Sequence, residues 1–99
     1  MSLPISAVIP ALADLALLEA NLPPLLRELD GVGGELVLVD DTGKGILAGW
    51  ASETFAGLSS DRLRVVSRSD NGGFGPAMLD GARIARGELL LAMNPDVRV

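Results

Sequence analysis

The sequence predicts an α/β domain, a three-layer α/β/α arrangement around a mainly parallel four-stranded sheet. Three observations predict it. Four short aliphatic runs alternate with stretches whose apolar residues recur at helical spacing, in the order β-α-β-α-β-α-β. Gly, Pro, Asn and Asp punctuate the junctions. The second run ends in an acidic pair, Asp40-Asp41, at the carboxyl end of a strand, where open sheets of this class bind ligands. No repeat, low-complexity segment or linker divides the 99 residues, so 1–99 reads as one domain with one core.

Taken in order, Ile5 to Ile9 is the first strand, and Pro10, which cannot donate to a ladder, suits its end. A helix follows from Asp14 to Leu29, with Leu15, Leu18, Leu22, Leu25, Leu26 and Leu29 on one stripe. Pro23-Pro24 predicts a kink or restart within it. Gly31-Val32-Gly33-Gly34 leads into the second strand, Glu35 to Val39. A second helix is expected over Ile46 to Ala56, with Ile46, Trp50 and Phe55 inward and Gly57 as its stop. Arg62 to Ser67 is the third strand. The loop Asp70-Asn71-Gly72-Gly73-Phe74-Gly75 precedes a third helix, with Pro76 in its first turn and its end at Arg86-Gly87. Ala77, Met78, Gly81, Ile84 and Ala85 form its packing face, and Glu88 to Met93 is the fourth strand.

Composition narrows the chemistry. Hydrophobic residues make up 48% of the chain and the mean hydropathy is +0.40, values of a globular protein. With three aromatics in all, the core must be Leu, Val, Ile and Ala. The net charge of -5, without a basic run, argues against nucleic-acid binding. There is no Cys or His, which removes disulfides, thiolate nucleophiles, zinc-thiolate sites and Ser-His-Asp catalysis within the chain. Chemistry here must rest on carboxylates, backbone amides, a few Arg and Lys, and a metal that can bridge acidic groups to a phosphorylated ligand. Met1 to Leu18 lacks a basic n-region and contains Asp14, so no signal peptide is indicated. No transmembrane segment is expected either, and the expected location is cytoplasmic.

Other motifs fail on inspection. Gly43-Lys44 lacks both the following Ser or Thr and the earlier glycine of a P-loop. Gly73-Phe74-Gly75 starts like a dinucleotide fingerprint, but Met78 stands where its third glycine belongs. A phospho-acceptor receiver domain would carry acids after the first strand, where Pro10-Ala11-Leu12-Ala13 stands.

Four ordered places carry a family resemblance. They are Ser6-Ala7-Val8-Ile9-Pro10, Val39-Asp40-Asp41, the block from Asn71-Gly72-Gly73 through Ala77, Gly81 and Ala85 to Gly87-Glu88, and Asn94-Pro95-Asp96. Together they resemble the amino-terminal, Rossmann-like half of a family 2 glycosyltransferase with the GT-A fold, over almost the whole chain. The resemblance implies a nucleotide-sugar site at Pro10, Ala11, Asp40, Asp41, Arg68, Asn71 and Asn94, and a Mg²⁺ or Mn²⁺ site at Asp96. It implies that Asp41 accepts a hydrogen bond from a pyrimidine imide and that Asp40 serves the ribose or base side. Arg68 falls where some members contact the base. The metal would offset phosphate charge on the leaving nucleoside diphosphate. The family's Tyr-Asn is Leu12-Ala13 here, and its Asp-x-Asp is Asn94-Pro95-Asp96, a pattern similar to that of rhamnosyltransferase-like members, which implies a dTDP- or UDP-sugar donor.

Plainer readings stand beside these. Asp40 and Asp41 are also good helix caps or turn residues, and Asn94-Pro95-Asp96 is also a good turn. The acceptor half and the catalytic base implied by the resemblance would lie beyond Val99, so no catalytic residue is assigned. A sheet that stops after its fourth strand is expected to self-associate, most simply as a two-fold dimer. The competing function is a non-enzymatic nucleotide-binding or interaction module that keeps the fold.

Overall fold

The computed structural model of the protein describes residues 3–58, 62–69 and 72–96. Its elements are β1 (Leu3–Ala11), α1 (Leu15–Gly31), β2 (Glu35–Asp40), α2 (Ile46–Thr54), β3 (Leu63–Ser67), α3 (Phe74–Ile84) and β4 (Gly87–Ala92). The sheet order is β3-β2-β1-β4. Every pairing is parallel, with Ser6 opposite Glu35 and Ala11 opposite Asp40 between β1 and β2, and Val8 opposite Ala92 between β1 and β4.

Strand alternation sorts the core onto two faces. Ala7, Ile9, Leu36 and Leu38 pack with the leucine stripe of α1 and with Leu47 of α2. Val8, Val37 and Val39 pack on the other face with Ala77 of α3. This is the expected three-layer α/β/α arrangement. α3 lies very close to the sheet, because a Cβ on Gly81 would run into Val8 and Val39. No helix of the described residues is long and apolar enough to cross a membrane.

Several element ends differ from the sequence reading, each for a physical reason. α1 does not restart at Pro23-Pro24; both prolines lie inside one continuous helix. The carbonyls they leave without a helical donor, those of Glu19 and Ala20, belong to exposed residues that water can reach. α2 turns Leu47 and Ala51 to the core and leaves Ile46 exposed, since its start is set by Asp40, as described below. Trp50 and Phe55 pack at the margin of the core. α2 stops at Thr54, before Gly57. Gly87 does not end α3 but begins β4. β4 is the least covered strand: Leu89, Leu90 and Leu91 are 68%, 47% and 42% exposed, on both faces of an unpaired edge.

Candidate functional site

The chain leaves β1 toward β2 and β3, then returns to place β4 on the other side of β1. The strand order therefore reverses between β1 and β4, and α1 and α3, departing to opposite faces, open a crevice at the carboxyl ends of the strands. The crevice has a volume of about 340 Å³. Pro10, Ala11 and Leu12 line it from β1, Asp14 and Leu17 from the start of α1, Asp41 from β2, Gly73 and Phe74 from the start of α3, and Pro95 from the last turn. A second hollow, of about 230 Å³ between α2 and β3, is lined without any charged side chain.

The two neighbouring acids have different environments. Asp40 is fully buried and does not line the crevice. Its Oδ1 accepts from the Thr42 amide at 2.9 Å and the Thr42 hydroxyl at 2.6 Å, and its Oδ2 accepts from the Leu47 amide at 2.8 Å. Burial alone would raise its pKa, but the Thr42 hydroxyl and the amides of Leu47, Thr42 and Ile46 outweigh it and hold the carboxyl below the ordinary Asp value. This is the geometry of a turn former and helix cap. Gly45, which precedes α2, supplies no side chain for that task.

Asp41 has turned to the other side of the sheet. Its Oδ1 accepts from Arg68 Nη1 at 2.9 Å and from the Gly72 amide at 3.2 Å; its Oδ2 accepts from the Gly73 amide at 2.9 Å. Gly73, at φ 92°, holds the left-handed conformation that turns its amide toward Asp41. Arg68 continues through Nε to Asp80 at 2.8 Å, so one guanidinium joins β2, the end of β3 and α3. A carboxylate offers about four acceptor positions. Two are taken on Oδ1 and one on Oδ2, which leaves one on Oδ2 of a residue that lines the crevice.

Asn94-Pro95-Asp96 forms a turn directly after β4. The Met93 amide donates to the Val8 carbonyl at 3.0 Å, and Asn21 Nδ2 donates to the Pro95 carbonyl at 3.1 Å. Pro95 faces the crevice, while Asn94 and Asp96 are exposed on either side of it. Among the described residues no three acidic side chains cluster to hold a metal. By donor type, a single carboxylate at Asp96 with an amide oxygen two residues away in sequence suits a hard cation shared with a ligand's phosphates, and does not suit a closed protein cage. Of the sequence-predicted residues, Pro10, Ala11 and Asp41 thus meet in the crevice, and Arg68 stands behind Asp41. Asn94 and Asp96 are exposed next to Pro95 but do not line the crevice, Asp40 serves α2, and Asn71 lies outside the described residues.

Sequence reasoning missed Asn21, Phe74 and Glu35. A polar Asn21 inside the apolar stripe of Leu18, Leu22 and Leu25 was a signal that it holds something. Glu35, fully buried at the opposite end of the sheet, accepts from Ser6 Oγ at 2.6 Å, the Arg86 amide at 2.6 Å, and the guanidiniums of Arg64 and Arg86 at 2.8 and 3.1 Å. Burial would raise its pKa, yet the Ser6 hydroxyl, the Arg86 amide and the Arg64 and Arg86 side chains together lower it.

Residues 6–99 match the model of a family described as glycosyl transferase family 2. No curated protein matches the sequence significantly. S. aureus TarS 1-349, whose structure is also known in complex with UDP, superposes with a TM-score of 0.77 at 22% identity, over 95% of this chain and 28% of that one. The mannosyltransferase PcManGT from Pyrobaculum calidifontis, in complex with GDP-Man and Mn²⁺, superposes with a TM-score of 0.76 at 21% identity, over 99% of this chain and 29% of that one. At these identities the likeness is one of fold, and the chain spans less than a third of the length of either structure.

Proposed function

The chain belongs to glycosyl transferase family 2 and has the Rossmann-like sheet of the GT-A fold, and from that premise we propose that its crevice binds the nucleoside diphosphate of a sugar donor. The observation that carries the proposal is Asp41: a carboxylate on the crevice wall, held by Arg68 and two backbone amides, with one acceptor position left. One position suits the single imide N–H of uracil or thymine. Guanine presents two adjacent donors and needs two. The reading therefore favours a UDP- or dTDP-sugar. Arg68 holds Asp41 in place, and Pro10, Ala11 and Leu12 exclude water from one side of the base.

The described crevice walls carry Asp14 and Asp41 and no Lys or Arg. A diphosphate entering here meets negative charge, which supports a Mg²⁺ or Mn²⁺ ion held by Asp96 with Asn94 beside it. Such an ion supplies positive charge to the departing diphosphate. Asp14 caps α1 and Asp41 holds α3, so neither is left to take a proton from an acceptor hydroxyl. The proposal covers donor binding, with transfer to an acceptor hydroxyl requiring a base from elsewhere. The exposed β4 edge supports a further part of it, self-association of the chain.

Titration calorimetry of the chain with UDP, dTDP and GDP, each with and without Mn²⁺, tests the reading. UDP and dTDP should bind, more tightly with Mn²⁺, and GDP more weakly. Asp41→Ala should weaken UDP binding by about 1–3 kcal/mol, the cost of a lost buried hydrogen-bond partner. Heats indistinguishable from buffer at millimolar ligand would remove the proposal.

A further inference from the structure

Resting on that donor-site reading, we infer that Phe74 is the platform on which the nucleobase stacks. The chain has three aromatic residues. Trp50 and Phe55 meet edge to face, with ring centroids 5.7 Å apart, at the margin of the core under α2. Phe74 is different. It packs into neither core cluster, its surface is 51% exposed, and it lines the crevice.

Its position is set by the same contacts that set Asp41. Phe74 is the first residue of α3, and the preceding Gly73 donates its amide to Asp41 Oδ2. The group that reads the base edge and the ring that can cover the base face are therefore joined through one residue. Pro10 and Leu12 line the same crevice from β1, with Leu12 53% exposed. A flat heterocycle between these walls has an aromatic face on one side and aliphatic groups on the other. Stacking on an aromatic ring tolerates any base, because every base has a π-face. Phe74 thus supplies affinity for the base as such, while Asp41 supplies the choice among bases.

The test compares UDP with inorganic pyrophosphate, both with Mn²⁺, on the wild-type chain and on Phe74→Ala, Phe74→Leu and Leu12→Ala. Phe74→Ala should weaken UDP roughly ten- to a hundredfold and leave pyrophosphate unchanged. Phe74→Leu, which keeps apolar surface without a ring, should fall between. Uracil H5 and H6 should shift upfield on binding to wild type, and the shift should vanish in Phe74→Leu. Because the side chain is half exposed and outside the core, circular dichroism of all variants should match wild type. If wild type binds UDP and Phe74→Ala binds it equally well, the platform is refuted while the donor site stands. An effect confined to Leu12→Ala refutes it in the same way. If wild type binds no UDP, both readings fall together.

Discussion

Replacing Glu35 with Ala should cost the fold much of its stability. The side chain is fully buried and receives bonds from the Ser6 hydroxyl, the Arg86 amide and two guanidiniums. Its removal takes away the buried anion that Arg64 and Arg86 share. Breaking a buried pair in this way costs about 3–5 kcal/mol. Arg64 and Arg86 keep side-chain exposures of 24% and 38%, so water softens the loss and the lower end, about 3 kcal/mol, is expected. A domain of this size holds on the order of 5–15 kcal/mol in all. With a urea slope of roughly 1–3 kcal/mol per molar, the midpoint should fall by about 1–3 M, read by circular dichroism. Acid adds a second reading. Because the folded pKa lies below the ordinary 4.5, the stability from ionised Glu35 is fully present above that value and is lost as pH falls through the folded pKa. Glu35→Gln should lack that part of the acid dependence. A Glu35→Ala midpoint equal to wild type, or an acid profile unchanged in Glu35→Gln, would refute the reasoning.

Three other outcomes are expected. Gly81→Ala places a methyl group against Val8 and Val39 and should destabilise the chain by about 1–3 kcal/mol in urea unfolding, unless α3 shifts outward. Asp96→Ala should abolish the Mn²⁺ enhancement of UDP binding while leaving the metal-free affinity in place; calorimetry that still shows the enhancement would count against Asp96 as the metal residue. Light scattering coupled to size exclusion should show self-association of the chain at tens of micromolar, and Leu90→Arg on β4 should reduce it. A clean wild-type monomer would count against an interface at β4.

Much of the layout was legible because it rests on local patterns. The aliphatic runs of β1 and β2, the leucine stripe of α1 and the helical face of Ala77 and Gly81 each match the face they occupy. Element ends were less legible because long-range contacts set them. α2 begins with Leu47 inward because a carboxylate seven residues earlier receives its amide, and no periodicity in Ile46 to Ala56 reveals that. The acidic pair was visible, but not that alternation along the strand end would send Asp40 to α2 and Asp41 to the crevice. Glu35 stood at the head of an apolar run, where a charge normally marks solvent; its partners Ser6, Arg64 and Arg86 come from β1, β3 and the α3–β4 junction, 29 to 51 residues away, and only the fold brings them together.

The bond from Asn21 to the Pro95 carbonyl has a consequence for how the crevice opens. Asp14 and Leu17, at the first turn of α1, form one of its walls, and Asn21, one turn further along, grips the rim across from them. Wall and rim are thereby tied together by one hydrogen bond. A ligand entering the crevice does not have to freeze a loose lip, so the ordering cost of a mobile site is met when the chain folds and not when it binds. Association should then show simple one-step kinetics, with no slow closing phase, and Asn21→Ala should introduce one.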